Sequence, residues 1–585
     1  MLRMICAMLV LAAGFTHVCH GQTPAPAVAD WAGADFAGGA KERFGSLKDG
    51  ESVNYVYAEP TGADAAMQHT FSIAAVPDAP MFVHVKGRDD DGPAPCRIAI
   101  ELNGTTLFEG ENTFSAGAWQ VKRFAIPAAA LKAGENTLVI ANREKAGTVG
   151  MPPWFMVAAC VIGPKTYVIR RDVTRDFFVT LPTEKRELPE PLPAGRKPGF
   201  AIRGTKGWNW TSEQYLAEIP VLKRFKMNFL MNCYLTTFVQ EPKMENRWYE
   251  PLPDETRRGL EKVIKACQAE GIDFCFAVHP QLWSPRPIDP TSEADFELLW
   301  PHFAWAQKLG VKWFSLPLDD VHAMQGVKID ASEHAKLINR LIDRLRANDP
   351  KAELIFCPTW YWGDGTGKEQ KPYLETLARE LHKDVYLFWT GDAVVGNITR
   401  KGAETFRGLA QHRIVLWDNY PVNDAHPTMH LAPVTHRDLD LCDVIDGYMS
   451  NPLCQQNEAN RLPMLTCADY AWNPAAYDPA RSIGQAILHL AETPAQRDVM
   501  RDLVEAYPGM LIYGNGPGFN AVRHKLAQIT TIPHSKQAAT AFIEHMQSLA
   551  RRIGEAFPNG YVAERKTLEN DIAELQKMYT AKYGQ

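Results

Sequence analysis

Lys312-Trp313-Phe314-Ser315-Leu316-Pro317-Leu318-Asp319 is a short apolar run that closes on a carboxylate, with Asp320 immediately after it. A run of this length between polar residues reads as a strand buried on both faces. The pattern recurs on either side. Residues 199–204, 228–234, 273–279, 353–359, 385–390, 413–418 and 445–451 are likewise short and apolar. The stretches between them, such as 212–225, 254–270, 293–309 and 332–347, space their apolar residues three and four apart, as helices do. Eight strand–helix units in succession predict an α/β fold, a (β/α)8 TIM barrel over residues 198–480. An open doubly wound sheet is the other solution for alternating strands and helices. It commonly opens with a G-x-G-x-x-G turn, and none follows the first strand here.

Upstream the rhythm differs. Met81-Phe82-Val83-His84-Val85, Arg97-Ile98-Ala99-Ile100-Glu101-Leu102 and Thr137-Leu138-Val139-Ile140 are strand-like runs between turn residues, and Asn103-Gly104 is a hairpin signal. Residues 45–165 are therefore expected to form an N-terminal β-sandwich. Trp119, Ile126-Pro127 and Leu131-Lys132-Ala133-Gly134-Glu135-Asn136 resemble the pattern of galactose-binding-like jelly rolls, which either bind sugar or pack on a catalytic domain. Pro182, Pro189, Pro191, Pro193 and Pro198 mark residues 166–197 as a linker or a connection that hugs the surface. Past residue 480 no strand pattern repeats. Residues 539–556 and 563–579 read as long amphipathic helices, so 481–585 is expected to be a C-terminal helical domain.

At 585 residues the chain is too long for one core. A net charge of −6 and the lack of a long basic run exclude nucleic acid as partner. Arg3 followed by the apolar run from Met4 to Phe15 reads as a signal peptide over residues 1–21 and implies a secreted or periplasmic protein. That run is too short for a permanent membrane span, and Thr16-His17-Val18 before Cys19 is a poor lipid-attachment site. Eleven cysteines occur without a C-x-x-C pair, which argues against zinc. Cys233, Cys275 and Cys357 lie in apolar runs, where a thiol serves as a small buried hydrophobe.

Barrel enzymes carry their chemistry at the C-terminal ends of the strands. The polar residues there are Asp319-Asp320, Thr359-Trp360-Tyr361, Trp389-Thr390-Gly391, Trp417-Asp418-Asn419 and Ser450-Asn451. Carboxylates, carboxamides and rings on one mouth suit a sugar, whose apolar face stacks on rings while its hydroxyls need polar partners. Two adjacent carboxylates point apart inside a strand but can converge where the strand becomes a loop. Their mutual repulsion favours keeping a proton on one of them. A solvated pair or a helix N-cap is the plain alternative for Asp-Asp.

The segment Val311-Lys312-Trp313-Phe314-Ser315-Leu316-Pro317-Leu318-Asp319-Asp320 resembles the "fDD" motif of glycoside hydrolase family 84, the N-acetylglucosaminidases that include O-GlcNAcases. Cys357-Pro358-Thr359-Trp360-Tyr361, Trp389-Thr390-Gly391, Trp417-Asp418-Asn419-Tyr420-Pro421-Val422-Asn423-Asp424, Ser450-Asn451-Pro452 and Ala468-Asp469-Tyr470-Ala471-Trp472-Asn473-Pro474 match further motifs of that family in order. The resemblance implies substrate-assisted, retaining removal of an N-acetylhexosamine through an oxazoline, with no cofactor or metal and with a glycan or glycoconjugate as partner. By motif, Asp319 would orient the acetamido group and Asp320 would be the acid and base. Tyr361 would bond the acetamido group, Trp417 would wall its pocket, and Asn419, Asp424 and Asn451 would hold hydroxyls. Gly207 would offer its carbonyl.

Two departures stand out. Thr205-Lys206-Gly207-Trp208-Asn209-Trp210 replaces the family's "VEGFYG", and the sugar-contacting lysine expected after the second strand falls near Phe238 or Val239, with Lys243 poorly spaced to serve. A glycosidase of the same fold acting on a different or decorated sugar, and a non-catalytic carbohydrate-binding protein, are the readings these departures leave open.

Overall fold

The computed structural model describes residues 29–40, 47–48, 51–89, 96–115, 119–148, 153–165, 179–235, 237–240, 245–321, 324, 327–424, 428–510, 519–531 and 536–584. The expected signal peptide lies outside them. Contacts divide the chain into two compact units, one essentially residues 52–171 with the N-terminal segment before 42, the other essentially 172–585.

The first unit is a sandwich of two five-stranded antiparallel sheets. Met81–Arg88 and Trp154–Pro164 are central to one, Ala66–Ile73 and Gly134–Asn142 to the other. Asn103 and Gly104 have φ of 52° and 79°, so both central residues of the hairpin between Arg97–Leu102 and Thr105–Glu111 take the left-handed conformation that Asn and Gly tolerate. The sandwich starts earlier than residue 45. Strand Ala29–Ala32 pairs with Trp154–Pro164, and Ala37–Gly38 pairs with Ala66–Ile73.

The second unit holds a closed parallel barrel of eight strands: β1 (Ile202–Lys206), β2 (Phe229–Met231), β3 (Asp273–Ala277), β4 (Trp313–Pro317), β5 (Glu353–Cys357), β6 (Tyr386–Trp389), β7 (Ile414–Pro421) and β8 (Gly447–Asn451), each bonded to its neighbours in chain order, with β8 returning to β1. Helices α1 (Ser212–Arg224), α2 (Asp254–Glu270), α3 (Glu293–Lys308), α4 (Ala331–Asn348), α5 (Gln370–Glu380) and α6 (Arg400–Ala410) follow β1 to β6 in turn; a short 3-10 turn, Leu441–Asp443, lies between β7 and β8, and α7 (Asn457–Trp472) follows β8. Their ends are written locally. Thr211 and Gln214 form a reciprocal capping box at α1, Asp330 accepts two amide N–H groups at α4, and Gly271 ends α2 at φ 66°.

Only the first strand is displaced from its expected place. The amides of Gly199, Phe200 and Ala201 bond to Trp472, Ala471 and Asp446 instead of entering the barrel ladder. β1 therefore begins at Ile202, and Thr205 and Lys206 become its last residues rather than the first residues of a loop.

After α7 the chain continues in α8 (Pro479–Leu490), α9 (Pro494–Ala506), α10 (Ala521–Thr531), α11 (Lys536–Ala556) and α12 (Val562–Tyr583). These helices belong to the same compact unit as the barrel. Thr567 of α12 accepts from Gln456 at 2.6 Å, and Glu564 accepts from the Ala459 amide at 3.0 Å, so the last helix is tied to the start of α7. The described part of the proline-rich connection lies along this unit. Arg186 N–H donates to Gln485, and Trp472 Nε1 donates to the Glu190 carbonyl.

Asp469, on α7, is 4% exposed, and burial raises its carboxyl from 3.8 to about 6, with Ser482 and Arg481 offsetting this only in part. Its folded value lies above its unfolded one, so the stability it leaves intact below pH 4 is lost as pH rises through about 6. Asp469→Asn should accordingly stabilise the protein by about 2–3 kcal/mol at pH 8 and by nothing at pH 4, read from melting curves at the two pH values.

Candidate active site

The chain leaves β4 at Pro317, and the next turn decides the site. Leu318 N–H still bonds to the Cys357 carbonyl of β5, and Thr359 Oγ1, just past β5, donates to the Leu318 carbonyl at 2.9 Å, so the strand end is held to β5 through both its N–H and its carbonyl. Asp320 then takes φ 57°. Aspartate is among the few L-residues that adopt this left-handed conformation without severe cost. The reversal sends the two carboxylates to different partners within one mouth. Asp319 accepts from the Tyr234 hydroxyl at 2.7 Å, on the β2 side, and Asp320 accepts from the Tyr361 hydroxyl at 2.7 Å, on the β5 side.

Asp319 is 7% exposed, and His279, past the end of β3, is fully buried beside it. His279 Nδ1 accepts from the amides of Gln281 and Leu282, which places the ring proton on Nε2. Nε2 lies 3.1 Å from the Asp319 carbonyl oxygen and 3.4 Å from its Oδ1. Burial alone would raise the Asp319 carboxyl. The His279 imidazole, the Tyr234 hydroxyl and the Lys206 ammonium outweigh it and hold the group below its ordinary value, so Asp319 is ionised. Burial, then the two aspartates, push the Tyr361 phenol well above its ordinary range, so it remains a donor to Asp320.

The far wall is built from β7. Trp417 and Asp418 take opposite faces of the strand, and Asn419 lies in the irregular stretch that follows Asp418. Asp418 is fully buried and receives two hydrogen bonds from Arg437, at 2.5 and 2.9 Å, and one from Tyr448 at 2.8 Å. That bidentate pair turns the carboxylate away from the mouth and pins the strand. Trp417 is 4% exposed and meets Tyr234 edge to face at 5.5 Å. Asn451, at the end of β8, donates to Asn419 Oδ1 at 2.8 Å, and Asn419 donates to the Val394 carbonyl. Asp319 Oδ1, Trp417 Nε1 and Asn451 Oδ1 are buried without a hydrogen-bond partner in the protein, which is the condition of a surface made to receive a polar ligand.

The structure thus links Asp319 to Trp417 through Tyr234, Asp320 to Tyr361, and Asn419 to Asn451, all at or near the C-terminal ends of barrel strands. The other two residues differ in setting. The Gly207 carbonyl accepts from the Tyr215 hydroxyl at 3.1 Å, and a Cβ at this position would lie 2.2 Å from the Tyr215 side chain, so close packing against α1 explains the glycine. Asp424 is exposed, beyond the end of β7. Its neighbour Asn423 is buried and anchors the loop through the Thr428 carbonyl, the Gln456 side chain and the Cys454 amide. Phe238 is buried against His302, and Val239 pairs with Asn246, so neither supplies a charge, and Lys243 lies outside the described residues.

Sequence reading passed over three residues of the site. Tyr234 and His279 sit at the ends of expected strands, but a lone Tyr or His carries no motif. Lys206 is 2% exposed, and its Nζ lies over the rings of Trp208, Tyr234 and Trp417, at 4.3, 5.0 and 4.8 Å from their centroids. All nine described cysteines are free thiols, and Cys233, Cys275 and Cys357 are buried as their apolar runs suggested.

Removing His279 takes away a donor that stabilises the Asp319 anion. In His279→Ala the acid limb of turnover should move to higher pH, and the rate near neutrality should fall about tenfold. An acid limb that stays in place would show that His279 does not govern Asp319.

The profile of the beta-N-acetylglucosaminidase family matches residues 201–505, more than half of the chain. Among solved structures the chain is similar to an Asp-to-Asn mutant of the Thermobaculum terrenum O-GlcNAc hydrolase, with 23% identity, a TM-score of 0.54, and coverage of 65% of this chain and 84% of that one. It is also similar to CpGH84B, with 17% identity, a TM-score of 0.52, and coverage of 84% of this chain and 79% of that one. At these identities the structural matches speak for the fold, and the family match speaks for the kind of enzyme. The chain belongs to the beta-N-acetylglucosaminidase family, glycoside hydrolase family 84, and is a glycoside hydrolase.

Proposed function

We propose that the enzyme removes a β-linked N-acetylhexosamine, GlcNAc above all, by substrate-assisted hydrolysis with retention at the anomeric carbon. One observation carries this reading. In the usual two-carboxylate schemes the acid and its partner flank the scissile bond from opposite faces. Here both carboxylates leave the same strand end, and the facing residues of β7 and β8 are a ring and carboxamides, because Arg437 holds Asp418 away. A nucleophile on the far face then has to come from the sugar, and the acetamido oxygen is suitably placed on the ring to supply it.

The roles follow from the settings. Asp319, kept anionic, accepts the acetamido N–H and stabilises the positive charge that develops as the acetamido oxygen attacks C1. Asp320 gives its proton to the leaving oxygen as the C1–O bond breaks, and the oxazoline forms. Water then attacks C1 and yields a proton to Asp320, the oxazoline opens, and the sugar leaves with its original anomeric configuration. Tyr361, bonded to Asp320, orients the acid, Trp417 walls the acetamido pocket, and Asn419 and Asn451 hold hydroxyls. Asp424 reaches a hydroxyl from the rim, and the Gly207 carbonyl contributes only through its second lone pair.

Aryl N-acetyl-β-glucosaminides and galactosaminides are the direct test. Asp320→Asn should lower kcat by about 10²–10⁴ with a poor leaving group and far less with a good one. Progressive fluorination of the acetamido methyl should slow the wild-type enzyme steeply. Rates indifferent to fluorination would exclude assistance by the substrate. The lack of a charged residue at Phe238 and Val239 favours, as second reading, a decorated sugar, for which simple aryl substrates would be silent while mucin-type or glycosaminoglycan chains release sugar.

We further infer export to the periplasm or beyond, supported by the apolar run of residues 4–15, with the sandwich as an appended galactose-binding-like module. N-terminal sequencing of the mature chain should find a start near residue 22, and an intact Met1 would overturn this.

A further inference from the structure

Lys206 is a buried cation whose contacts are aromatic faces. It is 2% exposed, three rings surround its Nζ, and among the described residues neither a carboxylate nor a carbonyl accepts a hydrogen bond from it. Cation–π attraction keeps an ammonium in such a box, but it satisfies none of the three N–H donors directionally. An ammonium with so little access to water and no acceptor in the protein is costly, and a methionine would fill the same space without that penalty. A lysine in this setting is explained by an acceptor that arrives with a ligand.

The surroundings say which ligand. Tyr234 is shared: its ring faces Lys206 Nζ, and its hydroxyl bonds Asp319. Trp417, the wall of the acetamido pocket, is the second ring, and the Lys206 charge acts on the Asp319 carboxyl. Nζ therefore lies on the side of the mouth where the C2 substituent of the sugar is received, and the hydroxyl on the carbon next to C2 is that at C3. We propose that Lys206 is a substrate-binding residue, whose ammonium, presented by β1 between Trp208, Tyr234 and Trp417, donates to the C3 hydroxyl of the bound N-acetylhexosamine. This rests on the N-acetylhexosaminidase reading above. It also accounts for the apolar residues after β2, since the charged donor is delivered by the neighbouring strand.

The test uses the full chain, K206M, and aryl N-acetyl-β-glucosaminides that are intact or deoxygenated at C3, C4 or C6. For the intact substrate K206M should lose about 10- to 100-fold in kcat/KM, the worth of a charged hydrogen bond. The wild-type enzyme should lose a similar factor on the 3-deoxy substrate, whereas K206M should lose nothing further there. The 4- and 6-deoxy substrates should cost both enzymes equally. The melting temperature of K206M should be unchanged or higher, because the variant discards a buried charge; a residue that merely plugs the barrel would lose stability instead. An unaltered kcat/KM in K206M, or losses that multiply on the 3-deoxy substrate, would overturn the proposal while leaving the hydrolase reading in place. If K206M does not fold, the wild-type enzyme decides alone, since equal turnover of the 3-deoxy and parent sugars removes the need for a donor. A wild-type enzyme silent on every N-acetylhexosaminide would defeat the reading itself and this inference with it.

Discussion

Two carboxyl groups on adjacent residues at the end of one strand are the constraint to which the rest of the mouth answers. As anions such neighbours repel, which favours a proton on one of them. The left-handed turn at Asp320 separates them, and each finds a phenol: Tyr234 for Asp319 and Tyr361 for Asp320. The two environments differ. Asp319 has, besides its phenol, an imidazole whose proton is fixed on Nε2 by two backbone amides, and a nearby ammonium, and so it holds its charge. Asp320 is half-buried, with the Tyr361 phenol as its partner.

The far wall depends on a second buried ion pair that takes no part in the chemistry. Asp418, Arg437 and Tyr448 form a closed set behind β7; Trp417 meets Tyr234, and Asn419, in the irregular stretch that follows Asp418, meets Asn451. Burial would weaken the Arg437 charge, and the Asp418 carboxylate restores it, so neither partner is left unpaired. The same logic extends outward. Thr567 of the last helix, Gln456 and Asn423 are linked by hydrogen bonds, so the C-terminal helices buttress the loop that presents Asp424. A region that reads as generic helical text is thereby tied to the loop after β7.

Much of this was written in the linear chain. Short runs such as 312–319 between helical stretches foretold all eight barrel strands, because a strand covered on both faces must be apolar throughout, and that pattern needs no partner to be read. Asn103-Gly104 announced its hairpin because left-handed backbone is a property of those two residues alone. Asp319-Asp320, Tyr361, Trp417, Asn419 and Asn451 were visible as polar or aromatic residues at strand ends, where barrel geometry leaves them facing one mouth. The start of β1 was misplaced by pattern, since the amides of residues 199–201 are claimed by α7 and the approach to β8, remote partners that no local rule reveals.

Sequence by itself determined the barrel, its sandwich and helical neighbours, and the strand ends that bear the carboxylates, because these follow from periodicity and from residue types acting locally. Only the tertiary structure decided what those carboxylates are. His279, Tyr234 and Lys206 come from three different strands and meet around Asp319, so its charge state depends on distances across the barrel rather than along the chain. The same holds for Gly207, whose carbonyl was taken up by Tyr215, and for Lys206, whose meaning appears only when three rings from separate segments close around it.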